Sequence, residues 1–137
     1  MRVAFGVLAR YAEVDPESGL INLTGGGIDV FGVANLPVQL AMPFVLQLRY
    51  HEAEVGQLRR ITMQVLDPEL KAIGQAASFE ITPKVGEYHA TGWQGIFAVA
   101  GEALLMADSP GVHSVQIRID GEVAGDIPFQ VVLAPEA

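Results

Sequence analysis

Residues 112–134, VHSVQIRIDGEVAGDIPFQVVLA, carry the pattern that decides the fold. Apolar and polar side chains alternate on both sides of Asp120–Gly121. The apolar positions are Val115, Ile117 and Ile119 before this pair, and Ile127, Phe129, Val131 and Leu133 after it. A period of two is typical of strands with one buried face, and Asp-Gly is a favoured turn pair. The stretch therefore predicts two strands separated by a turn.

The same alternation recurs in residues 42–51, 58–67 and 77–82. The expected inward positions are Phe44, Leu46, Leu48 and Tyr50, then Ile61, Met63 and Val65, then Ala77, Phe79 and Ile81. Residues 101–108, GEALLMAD, fit either a strand or a helix of about two turns, which is too short to stand alone. Pro128 lies inside an alternating run and indicates an edge strand or a bulge there.

These short runs, separated by turn signals, predict the fold class. About eight strands with no long helical pattern are typical of an antiparallel sandwich or barrel. No repeat, low-complexity tract or linker divides the 137 residues. We therefore expect one all-β domain over residues 1–137, an antiparallel β-sandwich of seven or eight strands in the immunoglobulin-like or jelly-roll style.

The composition leaves little charge to cover the surface. Hydrophobic residues make up 50% of the chain and charged residues 18%, against about 25% in typical soluble domains. Part of the apolar surface is thus expected to contact another copy or another protein. An unusually full core with an alanine-rich surface is the alternative.

The remaining charge is acidic and unevenly placed, with a net charge of −8. Residues 1–86 contain nine acids and seven bases, whereas residues 87–137 contain seven acids and a single base, Arg118. Duplex DNA and anionic membranes both require neutralising Lys and Arg, so we expect neither as a partner. No run approaches the roughly 18 apolar residues of a membrane span, and residues 1–19 do not fit a signal peptide. A cytoplasmic location is expected.

Three consecutive glycines, Gly25 to Gly27, raise the question of a phosphate-binding loop. Such a loop needs a lysine or a helix N-terminus after the glycines, and residues 28–33 offer neither. Asp29 would also repel phosphate. We interpret residues 20–23 as a strand, the glycines as a bend, and residues 28–33 as a second extended segment.

Catalytic and metal-binding constellations are weak in this sequence. The chain has no cysteine, its serines lack a Gly-x-Ser-x-Gly elbow, and His51, His89 and His113 lack metal-pair spacing. Histidines at the surface or at strand ends are the simpler interpretation, although His51, Glu52 and another histidine could meet in space. We therefore predict no enzymatic activity and no cofactor.

Acidic residues cluster in the expected turns, and two interpretations stay open. Local capping of turn amides accounts for each of them. Calcium-binding sandwiches also place carboxylates on loops at one end, so a calcium or small-ligand site is the alternative function. The residues concerned are Asp15, Glu17, Asp67, Glu69 and Asp108.

The candidate interface combines basic and aromatic residues. Arg49, Arg59 and Arg60 flank an expected hairpin around HEAEVGQ, with Arg49 and Arg60 on one solvent face, where they could meet the acidic C-terminal third of another copy. The alternative is that they blunt a sheet edge or balance Glu52 and Glu54. Trp93, near Tyr88, either caps an open end of the sandwich or contacts a partner. The leading hypothesis is a non-catalytic binding or assembly module that self-associates through apolar sheet surface.

Residues 8–37 begin LARYAEVDPESGLINLTGGGIDVF and resemble a family of small bacterial domains of unknown function. Members open with an alanine-tyrosine-alanine strand, then a leucine-asparagine-x-x-glycine-glycine segment. Residues 60–74 resemble the family's strand and aspartate turn, and residues 109–133 resemble its closing hairpin, where an aromatic is usual at the position of His113. The resemblance implies a β-sandwich and no particular activity.

Overall fold

The computed structural model describes residues 1–84 and 94–134, about two thirds of which lie in strands. The strands are β1 (Arg2–Leu8), β2 (Tyr11–Val14), β3 (Ile21–Thr24), β4 (Val30–Val33), β5 (Val38–His51), β6 (Arg59–Leu66), β7 (Ala77–Ile81), β8 (Gln94–Ala107), β9 (Gly111–Ile119) and β10 (Glu122–Leu133). The all-β prediction is confirmed. The expected count of seven or eight strands is too low, because strands of four residues are too short to show an alternating pattern.

The described strands form three sheets, one of which curls into a half-barrel. Their orders are β1-β5-β8, β4-β10-β9-β6-β7 and β2-β3. Every pair is antiparallel except β4 and β10, which run parallel. The prediction of a wholly antiparallel fold is therefore wrong at this pair. The short β4 carries no local signal for its direction, which is set by pairing with a strand near the other end of the sequence.

Side chains from the three-stranded and five-stranded sheets pack into one hydrophobic core. Most of the predicted inward positions are buried in it, among them Leu46, Leu48, Ile61, Ile117 and Phe129. Leu133 is an exception, being 55% exposed, and Ala77 is exposed as well. Ala77 lies on an edge strand and Leu133 at a strand end, where fewer neighbours cover a side chain, so alternation alone overestimates their burial.

The turn between β9 and β10 confirms the Asp-Gly signal. Ile119 pairs with Glu122, and the two residues between them have positive φ angles, 51° at Asp120 and 84° at Gly121. Both values suit a two-residue hairpin turn whose twist matches that of the flanking strands. The strongest local signal in the sequence thus fixes the hairpin at the centre of the larger sheet.

Pro128 lies where β10 has a described neighbour on one side only. It pairs with Ser114 of β9, while β4 joins β10 from Gln130 onward. A register shift between Val123 and Gly125 adds a bulge to the same strand. The prediction of an edge or a bulge around this proline is confirmed.

Candidate functional site

The triple glycine is a bend, as the sequence predicts. Gly25 and Gly27 have φ angles of 63° and 84°, a region that costs glycine nothing. The amides of Gly27 and Ile28 both donate to the carbonyl oxygen of Leu8, at 2.9 and 3.2 Å. Because these two amides already have partners inside the fold, they cannot also bind a phosphate, and the segment turns the chain from β3 toward β4.

Strand β8 is the long edge of the three-stranded sheet. It pairs with β5 over all 14 of its residues without a register shift, and no described strand pairs with its other side. The sequence of residues 101–108 fits either a helix or a strand, and in the structure this segment belongs to β8 up to Ala107. The strand contains no proline or lysine, and Glu102 is its single charged residue. It is thus a regular, nearly uncharged edge.

The other edges of the two larger sheets are blunted. Strand β4 has four residues and β7 has five, and Glu80 of β7 pairs with Arg60 at 3.3 Å. Strand β1 has a register shift between Val3 and Phe5. Short strands, edge charges and bulges are the devices by which proteins prevent their sheet edges from pairing with other chains. Strand β8 has none of them apart from Glu102.

An apolar groove of about 480 Å³ runs between β8 and β7. At its floor lie core side chains of both sheets, including Phe44, Met63 and Val115. It opens at Gly101, whose missing side chain leaves room for the ring of Phe44: a Cβ there would lie 3.0 Å from it. The groove therefore connects the β8 edge directly to the core.

The expected hairpin around HEAEVGQ is absent. Strand β5 pairs with β1 and β8, whereas β6 pairs with β7 and β9, so Arg49 and Arg60 lie on different sheets. The segment between them contains a 3-10 turn at Glu52–Glu54 and carries the chain from one sheet to the other. The prediction that Arg49 and Arg60 share one face is wrong, because a crossover and a hairpin have similar turn residues.

Arg59 and Arg60 are paired within the chain. Arg59 contacts Asp120 at 2.9 Å and Glu54 at 3.5 Å, and Arg60 contacts Glu80. Arg49 forms no ion pair among the described residues. The interface role predicted for these three arginines stays a prediction, and of the three Arg49 has the most unsatisfied charge.

Tyr88 and Trp93, the aromatic members of the predicted interface, lie outside the described residues. His89 does as well. Their proposed contact role stays a prediction.

Two of the clustered acids cap turns, as one of the two interpretations predicts. Asp15 accepts hydrogen bonds from the amides of Glu17 and Ser18, and Asp67 accepts them from Glu69 and Lys71, both at 2.9 Å. Within residues 1–84 and 94–134, no three His, Asp or Glu side chains are grouped as a metal site would require. The capping role is therefore shown for Asp15 and Asp67.

His113 is a core residue, contrary to the expectation of a surface or strand-end position. It is 1% exposed and stacks on Phe129, its cross-strand partner, with ring centroids 5.3 Å apart. Its Nδ1 lies 3.1 Å from the carbonyl oxygen of Gly111, while Nε2 is buried without a hydrogen-bond partner.

Glu54 is the centre of an ionic network at one end of the two sheets. It accepts hydrogen bonds from the Met1 amine, from the amide of His51 and from Arg59. Burial would raise the pKa of its carboxyl, but these hydrogen bonds and the charges of the amine and Arg59 together hold the pKa below its ordinary value. Asp120 has a lowered pKa for a similar reason, since it accepts hydrogen bonds from the Arg60 amide and the Arg59 side chain.

This network predicts loss of stability in acid. A carboxyl whose pKa is lower in the folded state stabilises the fold above the unfolded pKa, and that contribution disappears as pH falls through the folded pKa. Glu54→Gln should lower the free energy of unfolding at pH 7 by about 1 kcal/mol. The difference from the unsubstituted chain should shrink below pH 4.5, the ordinary pKa of this carboxyl. Urea unfolding at several pH values measures it.

Glu69→Gln is the matched control for this experiment, because Glu69 lies on an exposed turn and its ion-pair partner among the described residues is the exposed Lys71. It should change stability by a few tenths of a kcal/mol. A gap between Glu54→Gln and the unsubstituted chain that stays constant from pH 7 to pH 3 would contradict the role given to Glu54.

Comparison with known proteins gives a family and no activity. The model of a family described as "Family of unknown function (DUF6941)" matches residues 4–132. No curated protein and no solved structure matches the chain. The resemblance to a family without an established activity is confirmed. No helix among the described residues has the length and apolar character needed to cross a membrane.

Proposed function

We propose that this chain, which belongs to the family of unknown function DUF6941, is a non-catalytic assembly module. It self-associates through the free edge of β8. In this proposal the three-stranded and five-stranded sheets are the two layers of a β-sandwich, and β8 extends the smaller layer into a second copy. The observation that carries the proposal is the length and regularity of the β8 edge, with which no described strand pairs.

The edge supports association through its backbone. In an antiparallel strand, alternate residues direct their N–H and C=O groups to opposite sides, so about half of those in β8 face away from β5. Strands that expose such a row pair readily with another chain. Ile96 and Leu104, 56% and 54% exposed, add apolar contacts on the outer face of the same strand.

A second copy is the partner that the edge fits best. Antiparallel pairing of β8 with itself is closed by a twofold axis, so neither copy retains a free β8 edge. Each β8 strand presents mainly apolar side chains to the other. The Glu102 residues of the two copies repel each other only in the register that places them directly opposite. The low content of charged residues, 18% of the chain, supports burial of surface in such an assembly.

The apolar groove would be covered by the same arrangement. A strand added beside β8 turns one face toward the five-stranded sheet and so lies over the groove between β7 and β8. The inward-facing residues of the added strand include Phe97 and Val99, which are partly buried within one chain. Association thus removes apolar groove surface from water, at about 25 cal/mol per Å².

Molar mass in solution tests the proposal. By light scattering or sedimentation equilibrium, the unsubstituted chain should have twice the mass of one chain at micromolar or higher concentrations. The double variant Ile96→Lys/Leu104→Lys places like charges on both paired edges, so it should be a single chain at the same concentrations. Both side chains are exposed in one chain, and circular dichroism checks that the added lysines, one of which lies opposite Arg49, leave the fold intact.

Val112→Lys is the matched control, because Val112 is an aliphatic side chain, 60% exposed, on β9, which belongs to the other large sheet and is not one of its edge strands. It should leave the dimer intact. A monomeric unsubstituted chain, or a dimer that persists in the double variant, would overturn the proposal. If the control variant were also monomeric, any added lysine would dissociate the dimer, and the proposal that the β8 edge is the interface would be contradicted.

A further inference from the structure

Two arginines stand directly opposite each other at one end of the three-stranded sheet. Arg2 of β1 pairs with Arg49 of β5, and Ile96 of β8 completes the row. Side chains opposite each other in an antiparallel pair lie about 5 Å apart at Cβ, and like charges in these positions destabilise the sheet. A bound anion would relieve this repulsion.

The acids of the ionic network do not compensate the pair. Glu54 contacts the Met1 amine and Arg59, and Asp120 contacts Arg59. Among the described residues, neither Arg2 nor Arg49 forms an ion pair. The Nε of Arg49 is buried and has no hydrogen-bond partner, so a donor is left unsatisfied beside the unpaired charge.

The space next to the two guanidinium groups suits a small anion. A cavity of about 200 Å³ is lined by Met1, Arg2, Arg49, Tyr50, His51 and Gln94. No carboxylate is among these residues. The hydroxyl of Tyr50 donates to the carbonyl oxygen of Lys84 at 2.8 Å. The side chains of His51 and Gln94 supply further polar groups at the rim.

A second cavity, of about 450 Å³, lies on the other side of Arg2 and contains acids. Asp120 and Glu122 line it and offset the charges of Arg2 and Arg59 there. Arg49 does not line this second cavity. Of the two cavities, the one beside Arg2 and Arg49 is therefore the one whose arginines are not offset by acids.

We propose that the Arg2–Arg49 cavity binds a small oxyanion, a carboxylate or a phosphate group. Guanidinium groups bind both through paired N–H donors in a planar fork. The anion could belong to a free metabolite-sized molecule or to an acidic side chain of a second copy. The inference does not require β8 pairing, because the two arginines lie on β1 and β5, and phosphate added to an isolated chain should bind between them.

Titration with potassium phosphate and with citrate at low ionic strength tests the site. The Nε–Hε signals of Arg2 and Arg49 in ¹H–¹⁵N spectra should shift and saturate. Arg49→Gln should weaken binding on the order of tenfold, since it removes hydrogen bonds between charged groups. Arg10→Gln, which removes an exposed arginine without an ion pair among the described residues, should leave binding unchanged.

Molar mass measured during the titration identifies the source of the anion. Dissociation of an oligomer by phosphate or citrate would indicate that a carboxylate of a second copy normally fills the cavity. Binding without a change of mass would indicate a free small anion. Absence of saturable shifts at both arginines, or equal affinity in Arg49→Gln, would overturn the inference whatever the oligomeric state.

Discussion

Replacing Phe129 by alanine should lower the free energy of unfolding by about 3–5 kcal/mol. Phe129 is 2% exposed, stacks on His113 and meets the ring of Phe31 edge to face at 5.9 Å. Its removal leaves a cavity between the sheets and takes the stacking partner from a histidine that is already incompletely hydrogen-bonded. Denaturant unfolding followed by tryptophan fluorescence or circular dichroism measures the change.

Phe5→Ala is the control of matched chemistry. Phe5 is 39% exposed on β1, so its truncation should cost much less, about 1 kcal/mol or below. Phe129→Leu, which keeps most of the apolar volume, should fall between the two. Equal losses for Phe129→Ala and Phe5→Ala would contradict the position of the core given by the two sheets.

Gly95→Ala should destabilise the chain by about 1–3 kcal/mol, although alanine is ordinarily the better strand residue. A Cβ at Gly95 would lie 2.3 Å from the ring of Tyr50, its partner across β5 and β8. The ring is buried and its hydroxyl is bound to the carbonyl oxygen of Lys84, so it cannot move aside without breaking that bond. Thermal unfolding of the variant measures the cost.

Gly32→Ala separates this clash from the general effect of replacing a strand glycine. Its Cβ would meet a single atom at 3.4 Å, the Cβ of Ala134, which is an ordinary contact. It should be neutral or stabilising by up to about 1 kcal/mol. If Gly95→Ala unfolded at the same temperature as Gly32→Ala, that result would contradict the close packing of the Tyr50 ring on the β8 backbone.

Alternation in the sequence predicts which residues are buried better than it predicts how strands pair. The inward positions of β5, β6 and β9 follow directly from a period of two, since one face of each strand meets the core. The parallel β4–β10 pair could not be predicted, because a four-residue strand fits either direction and its partner is distant in sequence. The sequence predicts a hairpin where the chain crosses from β5 to β6, because the turn residues there do not indicate whether the next strand pairs with the same sheet or joins another one.

The candidate sites are harder to predict from the sequence than the fold, because they depend on which strands are neighbours. The sequence of β8 shows a nearly uncharged segment, but only the sheet order shows that this segment is an edge. The sequence predicts Arg49 as an interface residue because it lies in a locally basic region. Its position opposite Arg2 can be seen only from the register of β1 on β5. The sequence predicts His113 at the surface or at a strand end, because nothing around a lone histidine indicates that it will stack on Phe129.

Amide hydrogen exchange at different protein concentrations tests β8 pairing most directly. If β8 pairs with a second copy, the amides of residues 94–107 that point away from β5 should exchange more slowly as concentration rises. The outward amides of β7, the edge blunted by its short length and its charge, should exchange at the same rate throughout. Outward β8 amides that remain fast at concentrations where the chain is dimeric, or no dimer at all, would contradict the account.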